Sequence, residues 1–485
     1  MNPLFLIDFY KVGHYKQYPP GLTRVWSNWT PRYSRHAERH GAIHFGVSYL
    51  LQKFLHKAFR DDFFRLPKSV VIAEYKELIG KTLGDPNPDT SHLEALHDYQ
   101  RLPLDIYSLP EGTFTPCGVP AMVIVNTDPR FFWLPNYIET LLSNILWMAS
   151  TSATTASIYR EIFENSAIAF GESDLSFVDW MGHDFSMRGL SGIESAQLSG
   201  MGHLTSFSGT DSVPAIVAAN QYYGSGLNIG GSVPATEHSV MCAGGNESEL
   251  QTFERLITEC YPNGVVSIVS DTWDLWRVMT DYLPRLKDKI LARDGKVVIR
   301  PDSGDPAKIL CGNPDSTYGP ERAGVLRLLA EVMGTDGQGH INKAGAIYGD
   351  SITPERAKAI TSSMVNDLKL SPYNCVFGIG SYTYQYVTRD TYGFAMKATA
   401  VEKDGAVIPI FKDPVTDDGS KRSLKGIPIV YERDQFGTLA CSCSTDPLDL
   451  PESVMVKVFG DGQALNYPAF NTVRALSRKS WRKYQ

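Results

Sequence analysis

Short, unbroken apolar runs recur in the second half of the chain, and each ends abruptly on Gly, Asp or Ser. "VVSIVSD" ends at Asp271, "KVVIRPDSG" runs into Asp302 and Gly304, "GAIYGD" ends at Asp350, and "NCVFGIGS" ends at Gly380 and Ser381. Upstream, "FVDWMGHDFSMRG" carries His183, Asp184 and Arg188, and "LTSFSGTD" ends at Asp211. Amphipathic stretches separate these tips. "TPERAKAITSSMV" opens on Thr353-Pro354, a capping residue followed by proline at the first helical position. Strand, polar tip and helix in repetition predict βα units and a parallel sheet, and the unbroken runs suit strands buried on both faces. Either a (β/α) barrel or an open doubly wound sheet gathers its ligand at the carboxyl ends of such strands. At least six tips favour the barrel.

The two ends of the chain read differently. "GAIHFGVSYLLQKFLHKAF" predicts a strand tip running into a helix, "TPCGVPAMVIVNTD" a β-rich segment, and "YIETLLSNILWMASTSATTASIYREIF" a long helix. Beyond position 400, strands alternate with turns. The expected division is therefore an α+β domain built from residues 1–150 and 400–485, and an α/β barrel over 151–399.

Composition narrows the partners. The 485-residue chain has a formal net charge of −7, which offers no electrostatic footprint for nucleic acid or a membrane surface. Its seven cysteines form no C-x-x-C pair, against a zinc site or a disulfide framework. The start has no basic leader, and no apolar stretch reaches the ~18 residues of a bilayer span. These features predict a protein of a reducing cytoplasm.

Several tips carry chemistry. Asp302 suits the two hydroxyls of a ribose, Arg300 is a bidentate donor for phosphate, and Ser303-Gly304 permits a tight turn. The plain alternative is an internal Arg–Asp pair. Gly349-Asp350 and the Gly378-x-Gly380-Ser381 turn, followed by a helix, read as a sugar-phosphate cradle, or as ordinary βα turns. Phe185 offers a face for a flat ring, unless it is core. Arg188 could hold a phosphate or a ring substituent. The Asp211 carboxylate would accept from an amide NH2 and repel an acid. His238, after Glu237, is either structural or a catalyst; without H-E-x-x-H, zinc is not indicated. Near the start, Asp8 suits a helix cap, and Tyr10 offers a ring. Arg389 and Lys397 stand around a later short strand, and Lys412, Asp417, Lys421 and Arg422 follow in a segment that could equally be a charged surface hairpin.

Taken together, "DFYKVGHYKQYPP", "VNTDPRFFWLPNYIETLL", "HDFSMRG", "GTDSV", "SVPATEHS", "VSDTWD", "IRPDSGDP", "YGDSI", "TRD" and "FKDPVTDDGSKRS" occur in one order across nearly the whole chain. That series resembles the nicotinamide phosphoribosyltransferases, type II phosphoribosyltransferases related to the nicotinate enzymes. The resemblance implies an irregular α/β barrel with a second α+β domain, and a homodimer with shared active sites. It also implies transfer of phosphoribose from phosphoribosyl pyrophosphate to nicotinamide in NAD biosynthesis, with Mg²⁺ and with ATP as co-substrate. By the same resemblance, Phe185 and a second copy's Tyr10 would clamp the pyridine, and Asp211 would bind the carboxamide. Arg188, Arg300 and Asp302 would meet the ring, ribose and phosphate, and Gly349, Asp350, Gly380 and Ser381 the 5′-phosphate pocket. Arg389 and Lys397 from the second copy would meet the pyrophosphate. His238 would be the phospho-accepting histidine, and Lys412, Asp417 and Lys421 would lie by the nucleotide phosphates and magnesium; which side chains bind the metal directly stays open. The chain departs from the vertebrate pattern at Ser381, where a glycine is expected, and at Ala395, where a serine is expected.

Three rivals remain. A nicotinate-specific transferase runs the same reaction on the acid, and Asp211 argues against it. A non-catalytic nucleotide-binding barrel would lack several of these motifs. A generic sugar-phosphate barrel would lack the Phe185/Tyr10 clamp.

Overall fold

The computed structural model describes every residue except 225, 414–415, 417–422 and 485. The chain divides into two compact units, one of Met1–Thr154, Val217–Gly226 and Val387–Gln485, the other of Thr155–Ile216 and Leu227–Tyr386.

The first unit is built on a seven-stranded sheet. Along it lie Ala406–Pro409, Ala395–Lys403, Leu22–Thr30, Met122–Asn126, Leu104–Ser108, Val456–Gly460 and Gln463–Ala464, with every neighbouring pair antiparallel. A hairpin of Ile427–Glu432 and Leu439–Ser444 buries Ile427 and Val430 in an apolar cluster with Trp26 and Val123. Asp8 stands at the N-cap position of a short 3-10 turn, Phe9–Lys11, but makes no side-chain cap. Its carboxylate accepts from Thr140 Oγ1 at 2.8 Å instead, so the expected cap is replaced by a tertiary bond.

The second unit holds a parallel sheet of six strands in the order Gly209–Thr210, Gly182–Asp184, Cys375–Ile379, Ala344–Tyr348, Val297–Arg300 and Val266–Val269. Register runs Ile268↔Ile299↔Ala346↔Cys375 through the middle and Ile379↔Asp184↔Thr210 toward the other edge. Apolar positions on these strands are buried almost without interruption, as expected where both faces are covered. Residues 231–236 link the two edges. Gly231 pairs with Gly209 at one and Ala235 with Ser267 at the other, through bonds such as Thr210 N–H to Gly231 O and Ser267 N–H to Pro234 O, both 2.9 Å. This extended segment closes the sheet into an irregular barrel.

Polar caps start the helices after the tips. Asp274 accepts from the N–H groups of Trp276 and Arg277, Asp305 from those of Ala307 and Lys308, and Thr353 from that of Arg356. Each satisfies donors that the first turn leaves open. Among the described residues no helix is long and apolar enough to cross a membrane.

Candidate active site

The backbone ladder continues past the strand ends and holds the tips. Phe185 N–H donates to Ile379 O, Asp211 N–H to Asp184 O and Ser270 N–H to Arg300 O, each at 3.0 Å. The Asp184 carboxylate accepts from Ser186 N–H at 2.9 Å and Ser186 Oγ at 2.6 Å, which fixes the turn that follows Phe185. Gly304 has φ +93°, the left-handed conformation that the turn after Asp302 needs and glycine adopts without strain.

Glycines let the tips converge. A β-carbon on Gly349 would stand 3.1 Å from Asp302 Oδ1 and 3.4 Å from Phe185 Cε2, and one on Gly378 only 2.4 Å from Phe185 Cδ2. Phe185 and Asp302 therefore face each other across Gly349, beside Asp350. Phe185 is half-buried rather than core. A β-carbon on Gly189 would collide with Ser381 Oγ, at 2.1 Å, while one on Gly380 would meet nothing. The turn that opens the five-residue helix Ser381–Gln385 thus packs closely against the Met187–Gly189 turn and leaves its Gly380 side clear.

Two cavities meet at Phe185 and Asp211. One of about 450 Å³ begins at His183, Phe185, Asp211, Ser232 and Arg300 and runs inside the barrel toward Lys296 and Tyr373. The other, about 480 Å³, is lined by Phe185, Arg188, Leu190, Ile193 and Asp211. Asp211 Oδ1 accepts from His183 Nε2 at 2.9 Å and from Ser232 Oγ at 2.5 Å. Burial pushes the Asp211 carboxyl upward, but these two donors and the charges of His183 and Arg300 outweigh it and hold it below its ordinary value. Arg300 does not pair with Asp302; its Nη2 donates to Thr236 O at 2.5 Å. Its pKa is lowered, mainly by burial, and among its charged neighbours Asp302, Asp211 and Asp271 favour the cation while Arg188 opposes it.

Asp271 organises the opposite rim. Its Oδ2 accepts from Asp302 N–H at 2.8 Å and from Ser303 Oγ at 2.6 Å. Its Oδ1 is buried without a hydrogen bond and lies 3.5 Å from His238 Nε2. His238 is half-exposed and begins the helix His238–Cys242. The Tyr348 hydroxyl donates to Gly304 O at 2.9 Å. Its pKa is raised, first by burial and then by Asp350, Asp271, Asp302 and Asp305, which shows how carboxylates gather at this rim. Among the described residues no three His, Cys, Asp or Glu side chains converge as a metal site.

The remaining expected residues belong to the first unit. Lys397 has its pKa lowered by burial and by the neighbouring charges of Arg32, Lys412 and Arg389, against Glu139. Arg32 Nε donates to Gly393 O at 2.7 Å, and Lys412 and Ser423 bond reciprocally. Tyr10 is 59% exposed, with the His14 ring edge-on at 5.1 Å. Asp417, Lys421 and Arg422 lie outside the described residues. Sequence reasoning did not assign Asp271, His183, Ser232 or Arg32. Asp271 carried a signal, since it ends a strand as Asp350 does; Ser232 carried none.

Residues 181–462 match the nicotinate phosphoribosyltransferase (NAPRTase) family model, and residues 2–71 match that of the nicotinamide phosphoribosyltransferase N-terminal domain. The chain is 48% identical to a nicotinamide phosphoribosyltransferase of Acinetobacter baylyi, over 90% of this chain and 89% of that one. It is 31% identical to one of Xanthomonas campestris pv. campestris, over 98% and 97%. Among solved structures, a nicotinate-nucleotide pyrophosphorylase from Pyrococcus furiosus superposes with a TM-score of 0.59 at 14% identity, covering 99% of this chain and 95% of that one. Human nicotinic acid phosphoribosyltransferase gives 0.55 at 16%, covering 98% and 93%. Those two likenesses establish the fold.

Proposed function

This chain belongs to the nicotinate phosphoribosyltransferase family, and from that premise we propose that it transfers phosphoribose from phosphoribosyl pyrophosphate to nicotinamide. The products are nicotinamide mononucleotide and pyrophosphate, a salvage step of NAD biosynthesis. One observation carries the reading: Phe185, Asp211, Arg188 and Arg300 share the walls of adjoining cavities, with Asp302 across Gly349.

The pyridine stacks on Phe185 and its carboxamide NH2 donates to Asp211. Asp302 accepts from the ribose hydroxyls, with Arg300 and Arg188 beside the ring and phosphates. The 5′-phosphate lies in the pocket lined by Gly349, Gly380 and Ser381, with Asp350 at its edge. The ring nitrogen forms the new bond to C1 as the C1–O bond to pyrophosphate breaks. No proton moves, so no general base is required, and catalysis is positioning and electrostatics. The carboxylates at the rim favour the cationic sugar of the transition state.

Mg²⁺ binds through one or two carboxylates, waters and substrate phosphates rather than an all-protein cage. The rim fits that habit: the Asp302 and Asp350 carboxylates both act on the Tyr348 hydroxyl, and they would hold the ion, which would supply charge neutralisation for the leaving group. For ATP, the observation is the contact between His238 and Asp271. Asp271 lies 3.5 Å from Nε2, which leaves Nδ1 to form the bond to the γ-phosphorus of ATP as the γ-phosphorus–oxygen bond to ADP breaks and ADP leaves. Phosphohistidine then adds negative charge beside the sugar until it is hydrolysed. Lys412, with Asp417 and Lys421, would meet the nucleotide phosphates. A homodimer completes the reading: the exposed Tyr10 of a second copy closes over the pyridine, and that copy's Arg389 and Lys397 meet the pyrophosphate. Seven free thiols suit the cytoplasm.

The test supplies purified protein with phosphoribosyl pyrophosphate, Mg²⁺ and nicotinamide, nicotinate or quinolinate in turn, with and without ATP. Nicotinamide mononucleotide is the expected product, formed more completely with ATP. Mononucleotide from nicotinate alone, or from none of the three, overturns the reading.

A further inference from the structure

Two side chains on the cavity wall have no task in the reaction as derived, yet both bond to the residue that meets the carboxamide. His183 Nε2 and Ser232 Oγ converge on the same oxygen of Asp211, Oδ1, and neither uses Oδ2. They come from different parts of the barrel. His183 lies in the Gly182–Asp184 strand, while Ser232 lies in the segment that closes the sheet. The His183 side chain is 8% exposed, although that of Asp211 is 48% exposed. The buried histidine therefore holds the exposed carboxylate from behind.

The ring of His183 is also held. A β-carbon on Gly209 would stand 2.7 Å from its Nδ1, so glycine leaves room for the ring in this pose. Its other side meets Phe185, with centroids 4.8 Å apart at 50°. His183 thus touches both the residue that stacks on the pyridine and the residue that meets its substituent.

We propose that His183, seconded by Ser232, is a positioning residue for substrate choice: it occupies Oδ1 of Asp211 and aims a charged Oδ2 at the ligand's substituent. This inference rests on the nicotinamide reading above. Oδ2, as an acceptor only, takes an amide N–H and repels a carboxylate. Without the two donors, Asp211 is free to rotate and takes up a proton more readily. A protonated Asp211 donates to a carboxylate, so the acid becomes an acceptable ligand. The charged groups that act on Asp211 are His183 and Arg300; Arg300 remains in the variants below, so changes in discrimination report on the two donors.

The experiment measures equilibrium binding of nicotinamide and of nicotinate by calorimetry, and initial rates with phosphoribosyl pyrophosphate, between pH 5.5 and 8. The proteins are the native chain, His183→Ala, His183→Gln and Ser232→Ala. His183→Ala should lower the nicotinamide preference about ten- to a hundredfold, the scale of one hydrogen bond to a charged group, with the greatest loss at the acid end. Gln keeps an N–H donor near the place of Nε2 and should recover most of the preference. Ser232→Ala should lower it about threefold to tenfold, and it carries the test should the alanine variant at 183 not fold. Equal weakening of both ligands in His183→Ala, or an unchanged preference in Ser232→Ala, means that the pair only packs and overturns the proposal. A native protein that does not prefer nicotinamide brings down the substrate reading itself, and this inference with it.

Discussion

The ring of Phe185 rests on the bare backbone of Gly378, so closely that a β-carbon there would lie 2.4 Å from Cδ2 and 2.7 Å from Gly349 Cα. Gly378→Ala must push the ring toward the cavity or spread the two strands. Overpacking of this kind costs about 1–3 kcal/mol. The expected result is a nicotinamide KM raised about tenfold, equivalent to ~1.4 kcal/mol, with a lower Tm. Steady-state kinetics and thermal unfolding together check it; an unchanged KM removes Phe185 from the pyridine site.

Asp271 bonds the Asp302 turn and borders His238, so the two partners separate by mutation. His238→Ala should retain basal transfer but lose the stimulation by ATP. Asp271→Ala should lose both, with basal kcat/KM down about ten- to a hundredfold, because the Asp302 N–H and the Ser303 hydroxyl lose their acceptor. Rates with and without ATP decide between them. Full stimulation of the His238 variant would show that coupling runs elsewhere.

The charge on Asp211 sets a pH window. Its folded pKa is depressed, since the donors His183 and Ser232 and nearby positive charge outweigh burial. What depends on the anion is therefore present above the ordinary aspartate value, about 3.9, and is lost as the pH falls through the lower folded value. Preference for nicotinamide over nicotinate should stay level from pH 5 to 8 in the native enzyme. Asp211→Asn should lower that preference about ten- to a hundredfold. The ratio of the two kcat/KM values across pH is the measurement, and an unaltered ratio removes Asp211 as the selector.

In the first unit, Glu111 is buried and accepts from the N–H groups of Gly46, Val47 and Ser48 and from the hydroxyls of Ser48 and Tyr223. Glu111→Ala leaves those donors in a dry interior, where each unsatisfied group costs about 1–3 kcal/mol. A loss of at least ~3 kcal/mol is expected, read as a lower denaturant midpoint. A shift below ~1 kcal/mol would show that water replaces the carboxylate.

Much of the barrel is legible in the sequence because buried parallel strands and their caps are local patterns. The run from Val297 to Arg300 is a strand, Ser303-Gly304 makes its tight turn, and Thr353 caps the helix after Asp350. The closing segment 231–236 was not legible. It is held by single bridges to two distant strands, and no run of alternating or continuous apolar residues marks it. For the same reason the sequence is compatible with an Arg300–Asp302 pair, whereas the fold turns Arg300 toward Thr236.

By itself, the order of residues determined the βα class, the polar tips and the types of chemistry each tip offers, since short-range sterics, capping and burial depend on neighbours along the chain. Only the tertiary structure decided which tips face one another. Asp271 reaches Asp302 and His238, and His183 and Ser232 meet on one oxygen of Asp211, because register and barrel closure bring together groups that lie 21 to 33 positions apart.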